Sequence, residues 1–392
     1  MGETQDGEAH DAVIVGGGPV GLCLAVLLAQ LGVGVVVLEA RPERLRHSRS
    51  IGIHPPGQRV LARAGVADEV AAQAVRIAEG SARTLGPQGR SREVARLLLH
   101  PSVLAVPQWR TEEALEARLD RLAPGALRRG TRAGGLARGP GGAVVRCEDG
   151  VTVAGRWIVA ADGARSPLRA ALQWDRGLPV RERRLADSYV MGDFADETGD
   201  GALAVLHLEP GGIVESFPLP GGVRRWVART DRLWVDPTPR GLARLVAERT
   251  GARPDPSTCT MLSAFAVTER LAGRMVLGRV LLVGDAAHEV SPIGGQGMTL
   301  GWLDAEAFAP LIAADVRAAR SGRASAWPEL WAAAERERLA SAALAARQAR
   351  LNMTLGRPMP PGAMAARNAL LRGVYRIPGA AGLTAQRFTM QG

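Results

Sequence analysis

The chain has no lysine: all 49 of its basic residues are arginine, set against 39 acids, for a formal net charge of +10 over 392 residues. The arginines are interleaved with Asp and Glu and form no block beyond pairs such as Arg183-Arg184 and Arg224-Arg225. A nucleic-acid or anionic-membrane surface needs a concentrated basic stripe, so this pattern reads as a solvated surface with no nucleic-acid partner. Cysteine is scarce. Cys23, Cys147 and Cys259 are odd in number and far apart. That excludes a CxxC metal pair or a secreted disulfide framework and points to a reducing, cytoplasmic setting. Neither GxSxG nor HExxH occurs, so the nucleophile-elbow and zinc-helix chemistries are out. Residues 1–10 are polar and acidic, without the apolar stretch of a secretory signal. No integral membrane segment is expected either. Residues 12–38 are almost wholly apolar, but Gly16-Gly17-Gly18-Pro19 and Gly32-Val33-Gly34 cut them into a strand, a helix and a strand.

What remains is ample for a core, since 46% of residues are hydrophobic. The length suits two domains and a helical tail. Glycine (48) and proline (25) are plentiful but aperiodic. Continuous apolar runs at 11–15, 34–38, 156–160 and 280–283 have the character of strands buried on both faces. Helical spacing is expected over 19–31, 58–63, 68–73 and 111–122, with strands at 75–84 and 93–99 and a hairpin over 143–153. The stretch 178–267 is strand-rich, with strands at 188–194, 202–208, 213–218 and 223–230 and one helix at 242–249. Helices over 296–319, 327–352 and 364–375 close the chain.

The strongest local pattern is Val13-Ile14-Val15-Gly16-Gly17-Gly18-Pro19-Val20-Gly21, a GxGxxG between strand and helix, followed by a second strand ending in Glu39. Gly16 permits the tight turn, Gly18 lets a pyrophosphate approach the backbone, and Gly21 lets helix and strand pack closely. The helix N-terminus attracts the negative charge. Glu39 suits a ribose and disfavours a 2′-phosphate. This unit binds the ADP half of a dinucleotide, but it does not separate NAD from FAD.

Two later patterns do. One is Ala161-Asp162-Gly163-Ala164-Arg165-Ser166-Pro167-Leu168-Arg169, at a strand end before a short helix. The other is Gly284-Asp285-Ala286-Ala287-His288, then Ser291-Pro292-Ile293-Gly294-Gly295-Gln296-Gly297-Met298. With these three landmarks in order, the chain resembles the class A flavoprotein monooxygenases, the aromatic hydroxylases of the para-hydroxybenzoate hydroxylase type. The resemblance covers roughly residues 11–310. It implies an α/β fold: a Rossmann-type FAD-binding domain, an inserted antiparallel-sheet substrate domain and a helical C-terminal region. The corresponding division is 1–177 (with 75–105 on the substrate side), 178–272, 273–325 and 326–392.

The resemblance also implies bound FAD, a transient visit by NADPH or NADH, and O2 with a small apolar aromatic substrate. Oxygen would be transferred through a flavin C4a-hydroperoxide. The cofactor contacts it implies are Gly16, Gly18, Pro19, Val20, Gly21, Glu39, Ala40, Arg49, Gln108, Asp162 and Asp285, then Pro292, Gly295, Gly297, Met298 and Thr299. Thr299 stands where the family usually has Asn. Pro292, against the flavin face, and Arg49, in Arg49-Ser50-Ile51-Gly52-Ile53-His54, are the candidates for a catalytic role. His288 reads as structural, Asp304 and Glu306 as a solvated face or helix contacts. No second strand–GxGxxG–helix unit exists for NAD(P)H, which argues against two-dinucleotide-domain reductases. The halogenase motif WxWxIP is absent. A reductase of the geranylgeranyl type is the remaining rival. The strands of 188–234 carry few acids and include Phe194, Phe217, Trp226 and Trp234, which suits an apolar ring system such as a phenol, polyketide or quinone precursor. The length leaves no room for the thioredoxin-like third domain of longer phenol hydroxylases, and a monomer or homodimer is expected.

Overall fold

The computed structural model describes residues 10–47, 49–86, 89–139, 142–323, 328–377 and 379–391. Its first sheet has eight strands, and four of them carry the apolar runs seen in the sequence. His10–Val15 lies at the centre, parallel to Val35–Glu39 on one side and to Thr152–Ala160 on the other. Val280–Leu282 continues the parallel order beyond Thr152–Ala160, and Leu127–Arg129 beyond Val35–Glu39. Helices cover the faces, so these strands are apolar at nearly every position rather than at alternate ones. The helix Pro19–Gln30 crosses from the first strand to the second with residues 21–28 buried, and Gly297–Arg320 packs against it. Strand order reverses at His10–Val15, and a crevice at that reversal, beyond the carboxyl ends of the strands, is where such sheets bind ligands. Gly16, Glu39, Ala161-Asp162 and Gly284-Asp285 all fall at those ends.

The second sheet has nine strands drawn from several stretches of chain. In order across the sheet they are His288–Glu289, Met261–Ala272, Val180–Ala195, Val223–Thr230, Val214–Leu219, Ala204–His207, Val75–Leu85, Ser91–Ala105 and Gly52–Ile53. All pairings are antiparallel except that of Ala204–His207 with Val75–Leu85. Several strands exceed their sequence expectation. The strand expected at 188–194 begins at Val180, because its charged start pairs with Met261–Ala272 and Glu182 is bridged by Arg270 across that pair. Charge on both faces hides the alternation that would mark a strand. Thr152–Ala160 runs unbroken through Gly155, where an added Cβ would lie 2.7 Å from Val13 Cγ2, so the glycine admits the neighbouring strand. The strand Ala133–Gly139 and the helix Ala380–Phe388 carried no readable period.

The arginines correct the reading of a merely solvated basic surface. Arg169, Arg224, Arg225, Arg229 and Arg338 are all buried. Arg225 makes a two-pronged pair with Asp193, Nε to Oδ1 at 2.6 Å and Nη2 to Oδ2 at 2.8 Å. Arg229 and Arg357 both hold the buried carboxylate of Asp187. The planar guanidinium satisfies several acceptors at once and is more weakly hydrated than an ammonium, so it enters an interior at less cost.

One side chain locks the first sheet's helices together. Trp302 is fully buried and donates from Nε1 to the Pro19 carbonyl at 3.0 Å. Its ring also fills the space at Gly57, where a Cβ would come within 2.9 Å of it. Trp302→Ala is expected to lower the free energy of unfolding by about 3–5 kcal/mol, read from urea denaturation.

Candidate active site

The three motifs converge on one cavity of about 1090 Å³. At one end Gly16 has φ +111°, and a Cβ there would lie 2.3 Å from the Ala161 carbonyl oxygen. A Cβ on Gly21 would lie 2.0 Å from the Gly16 oxygen, so neither position tolerates a side chain. Gly18 differs: its missing Cβ faces open cavity, as a close backbone approach by a ligand requires. Gly18 N-caps the helix Pro19–Gln30 without a side-chain cap, and no acid occupies the first turn. The free N–H groups there form an anion site. Glu39 is buried, accepts from Gly17 N at 2.7 Å and from Arg41 N and Nε at 2.9 and 2.8 Å. Burial pushes its carboxyl up, but the Arg41 and Gly17 hydrogen bonds outweigh this and hold it ionised. Pro19, Val20 and Ala40 line the same end.

In the middle stand two aspartates. Asp162 Oδ2 accepts from Leu168 N at 3.3 Å, while its Oδ1 is buried with no protein donor. Asp285 opens onto the cavity, whose walls push its carboxyl upward. Arg169 ties the two motifs together: Nη1 donates to the carbonyls of Asp285 and Ala286, and Nη2 to that of Ala164. Behind them Asp304, expected on a solvated face or in helix contacts, is fully buried. It accepts from Gly284 N at 2.9 Å, from His288 Nε2 at 2.6 Å and from Arg338 Nε at 3.0 Å. Nothing in the local pattern Leu303-Asp304-Ala305 signals this.

At the far end residues 292–298 form the loop that opens Gly297–Arg320. Gly294 and Gly295 sit at φ +97° and +66°, and Pro292, Gly295, Gly297 and Met298 line the cavity. This helix too starts without a side-chain cap or an acid in its first turn. His54 donates from Nε2 to the Gly294 carbonyl at 2.8 Å, and burial lowers its pKa to about 4, so it is neutral. No local pattern signals this brace. Arg49 donates to Ser263 Oγ at 3.1 Å and lies over the Phe265 ring at 5.5 Å. Gln108 donates to Glu112 Oε1 at 2.8 Å, and both line the cavity. Of the residues expected to contact a cofactor, Gly21 and Thr299 do not line it. Gly21 serves packing. Thr299 is fully buried, and its Oγ1 lies 2.9 Å from where a Gly57 Cβ would stand.

The remaining wall is the second sheet. Ala82, Leu206, Met191, Val227, Phe217 and Phe265 present an apolar face to the cavity. Leu371, Phe388 and the helix-capping Tyr375 also line it. Glycine cradle, buried acceptors and two uncapped helix starts on one cavity fit a long dinucleotide bearing a pyrophosphate. The volume exceeds the ~300–1,000 Å³ typical of one drug-sized ligand, leaving room for a second molecule beside it.

Asp304 yields a pH prediction. Burial would raise its carboxyl, but His288, Arg338 and Gly284 N hold it below the ordinary 3.8. Its contribution is therefore full above about pH 4 and lost as the pH falls through the depressed folded value. Asp304→Asn is expected to lower stability at neutral pH by about 3–5 kcal/mol and to flatten the acid limb, read from urea melts across about pH 2 to 7.

The model of the FAD binding domain family matches residues 9–349. The 12-dehydrotetracycline 5-monooxygenase/anhydrotetracycline 6-monooxygenase of Streptomyces rimosus is 32% identical over 368 residues, covering 90% of this chain and 71% of that protein. The rifampicin monooxygenase of Streptomyces venezuelae is 32% identical over 315 residues, and the aligned region is 78% of this chain but only 64% of that protein. Among solved structures, the anhydrotetracycline hydroxylase of Streptomyces rimosus superposes with a TM-score of 0.78 at 29% identity, covering 98% of this chain and 76% of that one. The p-nitrophenol 4-monooxygenase of Pseudomonas putida shares the fold at a TM-score of 0.84, with 24% identity and coverage of 98% and 99%. On the sequence match over most of its length, and with all three motifs at one cavity, this chain belongs to the FAD-binding family of class A flavoprotein monooxygenases.

Proposed function

We propose that the protein is a monooxygenase that uses FAD, NAD(P)H and O2 to hydroxylate or epoxidise an apolar aromatic, phenolic, polyketide or quinone-type substrate. The observation that carries this is the continuity of one cavity from the Gly16–Glu39 end, past Asp285 and Pro292, to the apolar face of the second sheet. The FAD supplies the redox chemistry with oxygen. The chain supplies position, charge and dryness. Gly18 and the Pro19–Gln30 helix start would hold the pyrophosphate, Glu39 a ribose, and Asp285 the polyol. The uncapped start of Gly297–Arg320 turns its positive end to the cavity, where it would favour negative charge on a bound flavin. Met191, Val227, Leu206 and Phe217 exclude water that would divert oxygen chemistry. The oxygenase names of the relatives favour oxygen insertion over the reductase reading. Three unpaired cysteines agree with a reducing compartment, and no described helix is long and apolar enough to cross a membrane. We assign the protein to the cytoplasm, as a monomer or homodimer.

The test is direct. The purified protein should carry a yellow flavin spectrum and oxidise NADH or NADPH faster when phenols or naphthols are added. Oxygen-18 from O2 should appear in the product. Flavin reduction with reduced product and no label would replace this reading with the reductase. A colourless protein that takes up no FAD would overturn both.

A further inference from the structure

We propose that Glu215 is the substrate-selecting residue of this cavity, accepting a hydrogen bond from a ring hydroxyl of an otherwise apolar, multi-ring ligand. The inference rests on reading the second sheet's inner face as the substrate wall. Glu215 sits in the middle of that face. In register across the sheet stand Ala82, Leu206, Glu215, Val227 and Met191, and all five line the cavity. Every neighbour in this row is apolar. Glu215 itself is only 6% exposed, so its carboxyl meets the cavity and little else.

No hydrogen bond or ion pair to Glu215 exists among the described residues. Arg225, one register row away, is committed to Asp193 and to the Arg49 carbonyl. Tyr189, on Val180–Ala195, is close enough for the two groups to oppose each other's ionisation, yet its hydroxyl is buried without a partner. On the helices that close the cavity, Arg367 is spent on the Leu355 and Leu208 carbonyls, and Arg387 makes no pair with Glu215. Burial alone pushes the Glu215 carboxyl up to about 7. A buried polar group left without a partner is unfavourable, and a ligand that supplies the donor removes that penalty. The same penalty rejects a ligand with no donor, as in other sites built to bond a hydroxyl.

Position adds a size argument. Ser263, which holds Arg49, lies in the same register row as Met191, three strands from Glu215. At ~4.8 Å per strand the separation is roughly 14 Å. A ligand anchored on Glu215 must cross Val227 and Met191 to reach Arg49, a span wider than one ring.

The experiment is calorimetric binding to the flavin-loaded protein of 2-naphthol and its methyl ether, 2-methoxynaphthalene. These share shape and differ in the donor. Wild type should bind the naphthol about 10- to 100-fold tighter, the range for a hydrogen bond to a charged acceptor. Binding should also release up to about half a proton at pH 7, read by repeating the titration in phosphate and Tris, because the donor favours the ionised carboxylate. Glu215→Leu should erase both effects. Glu215→Gln, nearly isosteric, should keep part of the preference through its amide oxygen but release no proton, and it serves if the leucine variant fails to fold. Equal affinities in wild type, including no binding of either probe, overturn the inference, as does a preference that survives in Glu215→Leu. Discrimination without any oxygenated product would sink the monooxygenase reading and leave Glu215 in its role. Oxygenated product without discrimination would do the reverse.

Discussion

The buried carboxylate of Asp304 is the constraint on which the site depends. A lone charge in that position would be expensive, so it survives only because three donors from three places meet it. Gly284 belongs to the turn that presents Asp285, His288 to the short strand that joins the second sheet, and Arg338 to the long helix Pro328–Leu355. One anion thereby fixes the end of a parallel strand, the edge of the other sheet and the layer of helices outside them. Geometry at the cavity follows from that junction, with Arg169 closing the same turn from the opposite side.

The two sheets divide the work. The parallel strands bring the Gly16–Gly18 turn, Glu39, Asp162 and Asp285 to their carboxyl ends, where the topology leaves a crevice. The antiparallel sheet contributes a broad wall, and in its central row Glu215 stands among Ala82, Leu206, Val227 and Met191. The strands of the two sheets alternate along the chain, with those of the wall drawn from both sides of the Asp162-Gly163 turn. Apolar wall and glycine-lined crevice consequently face one cavity.

Motifs that depend on backbone shape were legible in the sequence. Gly16 and Gly21 announce a strand–turn–helix because their positions refuse a side chain, and the turns at Asp162 and Gly284 follow buried runs that read as strands. Roles that depend on partners far along the chain were not legible. Asp304 reads as a solvated face or a helix contact, and no local pattern marks His54 or Glu215. Each gains its meaning from elements more than a dozen residues away, and local periodicity carries no record of them. Buried arginines were missed for the same reason: a guanidinium reads as surface until its acceptors are located.

The absence of lysine has a chemical consequence beyond charge. Electrophilic rings, quinones above all, add to neutral amines and to thiolates. This chain offers no side-chain amine at all. Its thiols are quiet too, since burial raises the pKa of Cys23, Cys147 and Cys259 and keeps them protonated. The guanidinium stays protonated and is a poor nucleophile. An oxidised aromatic product leaving this cavity would meet a surface with little to react with, and the protein would be spared covalent capture by what it makes.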